Sequence, residues 1–132
     1  MQQLIKKAHE MAKEKGFWES ERNKSELLML IVSELAEAME ALRKDHYANK
    51  EMIDGLYQDV MIHKYEDEFN IMNGPWKKDF EAHVKSTFED EIADVAIRLF
   101  DLCGGLGVNL EKHVEMKMMY NSMRGYKHGK KF

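Results

Sequence analysis

The stretch ELLMLIVSELAEAMEALRK (Glu26–Lys44) decides how this chain folds. At about 100° per residue, Leu27, Leu30, Ile31, Ala38 and Ala41 share one side of a helix, the mark of an element packed on a core. Glu34 falls in the middle of that side, and Glu37, one turn on, at its margin. Burying a carboxylate is costly unless something holds its charge. The stripe therefore predicts both a packed helix and a site within it.

Helical patterns extend outward on both sides. Residues 2–15 carry an apolar stripe of Leu4, Ile5, Ala8 and Met11, and Gly16 ends it. Asn23 followed by Glu26 reads as a capping box, opening the second helix at Lys24 and carrying it to about Asp45. Residues 51–69 continue helical, weakened by Gly55, until Asn73-Gly74-Pro75 turns the chain. A short helix near Lys77–Lys85 follows. Ser86 with Glu89 gives a second capping box for a helix from about Thr87 to Cys103, which Gly104, Gly105 and Gly107 interrupt. Asn109 caps a last helix to about Met123, and a basic tail, RGYKHGKKF, closes the chain. With one proline and long runs of Met, Leu, Ala, Glu and Lys, the expectation is all-α. Four to six helices form an antiparallel bundle.

The 132 residues suit a single domain spanning 1–132. A chain of this size removes roughly 68% of its unfolded surface from water, and 44% apolar residues can supply the core. A net charge of −4 argues against general nucleic-acid binding. The last part departs from that average, with Lys117, Arg124, Lys127, Lys130 and Lys131 after Lys112 against Glu115. One cysteine, Cys103, excludes an internal disulfide and a cysteine zinc site, and reads as a small core residue. The charged N-terminus is no signal peptide and no apolar run approaches a membrane span, so a soluble cytoplasmic protein is expected.

The chemistry lies in two acidic pairs. Glu34-x-x-Glu37 sits on the second helix, and Glu91-x-x-Asp94 in FEDEIADVAIRLFDL, where Phe88, Ile92, Val95, Leu99 and Leu102 form the stripe that Glu91 borders. Residues at i and i+3 share a helix face, so two packed helices can bring four carboxylates together. Each pair about 4 Å apart repels by roughly 4 kcal/mol at an effective dielectric near 20. A hard divalent cation, Mg²⁺ or Mn²⁺, relieves that repulsion, and Mg²⁺ also takes substrate phosphates as ligands. The alternative is that these acids are solvated helix charges. Glu40, Glu89 and Asp90 fall on polar sides and are read that way.

With SELAEAMEALR, EDEIADVAIRLFDL and KMMYNSMRGYKHGKKF in this order, the chain resembles the MazG-like all-α nucleoside triphosphate pyrophosphohydrolases. That superfamily also holds the dimeric dUTPases and the phosphoribosyl-ATP pyrophosphohydrolases. The resemblance covers residues 17–44 and 86–131, with Lys117, Asn121 and Arg124 as a K-x-x-x-N-x-x-R run. It implies that Glu34, Glu37, Glu91 and Asp94 ligate Mg²⁺, with Mn²⁺ as substitute. It also implies hydrolysis of a nucleoside triphosphate, deoxy or non-canonical, to monophosphate and pyrophosphate, with Glu37 as the carboxylate that activates water. Lys117, Asn121 and Arg124 follow at i, i+4 and i+7, one helix face able to meet phosphate, ribose or base; Lys127, Lys130 and Lys131 reach over from the tail. The resemblance also implies that Trp18 stacks on the base and that His9 joins the same pocket, the alternatives being a core tryptophan at a helix junction and an ordinary helix histidine. The family is oligomeric, and one chain offers such helices limited cover, so a homodimer or homotetramer is expected.

The interval 45–85 departs from the compact family pattern and carries Tyr47, Tyr57, Tyr65, Phe69, Trp76 and Phe80. It leaves base and sugar open. Among rival readings, a di-iron carboxylate bundle calls for Glu-x-x-His pairs, and none of the six histidines lies three residues after a glutamate. A non-catalytic helical oligomerisation or interaction module uses the same amphipathic helices with the acids metal-free.

Overall fold

The computed structural model describes residues 1–63 and 74–131. Among these, six α-helices and one 3₁₀ turn account for the ordered backbone, with no strand. The helices are α1 (Gln2–Glu14), α2 (Lys24–Arg43), α3 (Lys50–His63), α4 (Pro75–His83), α5 (Phe88–Leu106) and α6 (Leu110–Ser122); the 3₁₀ turn spans Tyr126–Gly129. The all-α expectation holds. The last residues of the pattern read over 51–69, and Asn73 of the turn, lie outside the described residues. None of the helices is long and apolar enough to cross a membrane. The chain forms two compact units, one of Lys24–Ala96 and the other of Met1–Asn23 with the residues from Ile97 onward.

In the unit of Lys24–Ala96, α2 buries Leu27, Ala38 and Ala41 together with Glu34. Its end needs a left-handed residue, and Asp45 supplies it at φ 51°. The amides of Asp45 and His46 then close back on the carbonyls of Leu42 and Ala41. The chain next runs beside the start of α5. Phe88 N–H donates to the His46 carbonyl at 2.9 Å, and Ala48 N–H donates to Glu89 Oε2 at 2.9 Å. Leu56 is buried on α3, and its carbonyl accepts from Trp76 Nε1 of α4 at 3.1 Å. Trp76 in turn stacks on Phe80.

The cap of α5 lies one residue later than its sequence pattern suggests. Thr87, 1% exposed, accepts from Asp90 N–H through Oγ1, while the Asp90 carboxylate accepts from Ser86 N–H at 2.8 Å. Ser86 takes φ 62° to reach this turn. Glu89 and Asp90, read as solvated charge, are therefore backbone acceptors that tie the loop to the helix. Glu40 keeps the solvated reading, paired with Arg43 at 2.6 Å on the exposed surface.

In the other unit, α1 ends as expected at Gly16, φ 86°, with Gly16 and Phe17 amides returning to Lys13 and Ala12 carbonyls. Of its predicted stripe, Ile5 and Ala8 are buried; Leu4 and Met11 are exposed. Gly104 and Gly105 do not break α5, which continues to Leu106. They thin it: a Cβ at Gly104 would lie 2.6 Å from His9 Cβ, and one at Gly105 2.2 Å from the Trp18 ring. Gly107, φ 68°, is the residue that ends the helix, and Val108 N–H reaches the Cys103 carbonyl at 2.9 Å. Gly105→Ala is thus an overpacking change despite its better helix propensity. It is expected to cost about 1–3 kcal/mol in urea unfolding; a gain in stability would contradict the contact. Cys103 is buried as expected, and burial pushes its thiol up.

Candidate metal centre

Two helices of the Lys24–Ala96 unit bring acids from both motifs together. Carboxylate oxygens of Glu34, Glu37 and Glu91 all lie within 4.8 Å of one another. Glu34 is 8% exposed and Glu91 6%, whereas Glu37 faces out. Each helix contributes a residue that its core packing holds in place. Glu34 follows Ile31 and precedes Ala38 on the core-facing side of α2. Glu91 lies one turn into α5, whose start is clamped by Thr87 and by the His46 carbonyl. Asp94 is half-buried one turn after Glu91 and is not part of the set of three.

The electrostatics bear the imprint of this crowding. The Glu91 carboxyl is raised from 4.5 to about 7, first by burial, then by the charges of Glu37 and Asp94, a hydrogen bond with Glu37, and the charge of Asp90. Near neutrality the Glu91 carboxyl is therefore about half protonated, and its proton cancels one negative charge of the cluster. A divalent cation does the same with two charges and can use several oxygens at once. Oxygen-only donors on two rigid helices fit a hard cation, Mg²⁺ or Mn²⁺, and give no foothold for a thiophilic one.

Glu37 and Glu91 open onto a groove of about 390 Å³ that Ala36, Glu40, Ala41, Lys44, His46 and Ser86 also line. Lys44, His46 and Ser86 were not read as site residues in the sequence, where Ser86 was singled out only as a cap, because only the return of the chain from α2 to the foot of α5 brings them beside the acids. The interval 45–85 thus opens and closes at this groove.

The remaining candidates belong to the other unit. His9 and Trp18 do come together, ring centroids 5.0 Å apart and edge to face. Both hydrogen-bond Asp101 Oδ1, His9 through Nδ1 at 2.9 Å and Trp18 through Nε1–H at 2.8 Å. Asp101 fixes the two rings and was missed; its position seven residues after Asp94 was the available signal. Arg22 lies over the faces of Trp18 and Phe17 at 5.6 and 5.9 Å. On α6, Lys117 Nζ sits 4.9 Å from the Tyr120 ring, and Arg124, just beyond the helix, 5.9 Å from the same ring. Asn121 Oδ1 is buried and accepts no hydrogen bond from the described residues. Lys127 is exposed, with φ 51° and its ammonium 5.8 Å from the Tyr126 ring.

Comparison with family models, with curated proteins and with solved structures gives no match. The class defined by the chain's own geometry is an all-α protein with a carboxylate cluster shared by two helices.

Proposed function

We propose that the chain is a divalent-metal-dependent nucleoside triphosphate pyrophosphohydrolase of the MazG-like kind. The observation that carries this reading is the meeting of Glu34, Glu37 and Glu91, two of them buried, at the edge of an open groove. A structural charge cluster has no need of a groove, whereas a reaction does. Glu34, Glu37 and Glu91 are the residues that would hold Mg²⁺ or Mn²⁺, and Asp94, outside that set, adds its negative charge beside Glu91. When bound, the cation neutralises the acids, gathers phosphate oxygens and makes water more acidic.

The protein's own groups supply the rest. Glu37, the exposed member, accepts the proton of the water that attacks the α-phosphorus, and the bond to the bridging oxygen breaks to leave pyrophosphate. Lys44 offers the groove a cation for phosphate oxygens. Lys117, Arg124 and Lys127 are cations of the other unit, on or just beyond α6. Asn121 Oδ1, in that same unit, is a buried acceptor that suits a donor group. Within the other unit, His9 and Trp18, held by Asp101, form an aromatic pair of the kind that stacks on a base.

The test is pyrophosphate release from a panel of canonical and modified ribo- and deoxyribonucleoside triphosphates, with Mg²⁺ and with EDTA. Release from one or a few members, lost with EDTA, is the expected outcome. Silence across the panel with both Mg²⁺ and Mn²⁺ would favour the non-catalytic module.

A further inference from the structure

The net charge of −4 conceals a division. The unit of Lys24–Ala96 holds seventeen Asp and Glu against eight Lys and Arg, whereas the other unit holds twelve Lys and Arg against seven Asp and Glu. Six of those twelve, Lys112, Lys117, Arg124, Lys127, Lys130 and Lys131, lie on α6 or after it. α6 half-buries Leu110, Val114 and Asn121 on one side. At about 100° per residue, Met116, Met119, Tyr120 and Met123 follow at i, i+3, i+4 and i+7 on the opposite side, and they are 54, 61, 56 and 74% exposed. Lys112 falls inside this apolar stripe, and Lys117 and Arg124 run along one border. The 3₁₀ turn beyond carries Tyr126, 91% exposed, next to Lys127. Glu115 lies on the other border and Glu111 towards the packed side.

We propose that this face of α6, with the 3₁₀ turn, is a docking surface for an anionic lipid bilayer, the helix lying in the plane of the headgroups. An apolar stripe accompanied by cations is the pattern of a helix that rests at such an interface. Methionine is flexible and polarisable enough to settle among disordered acyl chains, and tyrosine suits the headgroup level. Lys127, Lys130 and Lys131 follow as a basic cluster, which an anionic leaflet attracts. A nucleic acid would answer the cations and leave four large apolar side chains in water. A bilayer answers both. The proposal does not depend on the acids holding a metal.

Flotation of the full chain with vesicles tests it. The chain is expected to float with phosphatidylcholine vesicles containing about one third phosphatidylserine, and not with phosphatidylcholine alone. Most of that binding is expected to be lost between about 0.1 M and about 1 M salt. Met119→Glu with Met123→Glu is expected to weaken it about tenfold or more, and Lys130→Glu with Lys131→Glu to a similar extent. Depth is read separately. In a Cys103→Ala background, an environment-sensitive fluorophore on Met123→Cys is expected to shift to the blue with anionic vesicles. One on Met118→Cys, a position 66% exposed on the side away from the stripe, is not. No flotation with anionic vesicles, undiminished binding by the Met119/Met123 variant, or equal shifts at the two labels overturns the proposal. Capture of single-stranded RNA without vesicle binding also overturns it and assigns the cations to nucleic acid. So does a concentration-dependent mass that Met123→Glu abolishes in a chain that does not float, which assigns the stripe to a second copy.

Discussion

Glu34→Gln and Asp94→Asn are each expected to abolish turnover, by a factor on the order of 10³ or more, in protein that stays folded. The two substitutions preserve shape and remove charge at different depths in the site. Glu34 is buried within the set of three, so the amide would present the cation with one oxygen in place of two and would lower the site's charge by one. Asp94 lies outside that set and acts on Glu91 by its charge. If it also ligates, Asp94→Asn should weaken metal affinity as severely as Glu34→Gln. If it acts only through Glu91, it should lower the Glu91 carboxyl and leave metal affinity within about tenfold to a hundredfold of wild type. Calorimetric Mn²⁺ titration alongside pyrophosphate release separates the two. Near wild-type activity in both variants would remove the acids from the reaction.

The part of the site read from the sequence is the part that helical spacing determines. Glu34 announced itself by interrupting an apolar stripe, and Glu91 by bordering one, because a carboxylate's cost in such a place is local knowledge. What escaped depends on neighbours far along the chain. Gly104 and Gly105 look like helix breakers by propensity. Their meaning comes from His9 and Trp18, about ninety residues earlier, which leave no room for a Cβ. Thr87 and Ser86 are both capping residues by type, and the loop from His46 to Asn49, bonded to α5 and to His83, decides which of them caps. The outer face of α6 was overlooked for a different reason. Once Lys117, Asn121 and Arg124 had explained the helix, Met116, Met119, Tyr120 and Met123 passed unexamined. Their exposure is what marks them as a second face.

Metal-free protein is expected to lose stability as the pH rises from about 4.5 to about 7, and added Mg²⁺ is expected to reverse the trend. The sign follows from Glu91. Its folded value of about 7 lies above the ordinary 4.5, so between those limits the folded chain holds a proton that the unfolded chain has released. Folding is then favoured by acid: the contribution is complete below about 4.5 and gone above about 7. The shift corresponds to at most roughly 3 kcal/mol. This is the reverse of the usual carboxylate, whose pairing stabilises the fold as pH rises. A divalent cation must displace that proton, so its affinity grows as the pH climbs through neutrality and binding releases acid. Because it binds the folded chain, its stabilisation grows with that affinity. Urea unfolding at pH 5.5 and pH 8, each with EDTA and with Mg²⁺, should therefore cross over, EDTA samples weakening and the Mg²⁺ increment growing. Glu91→Gln should flatten both dependences at once, since it removes the proton and the ligand together. A metal-free wild type whose stability relative to Glu91→Gln does not fall over this window would show that Glu91 is ionised throughout, and that its charge is met by the protein itself.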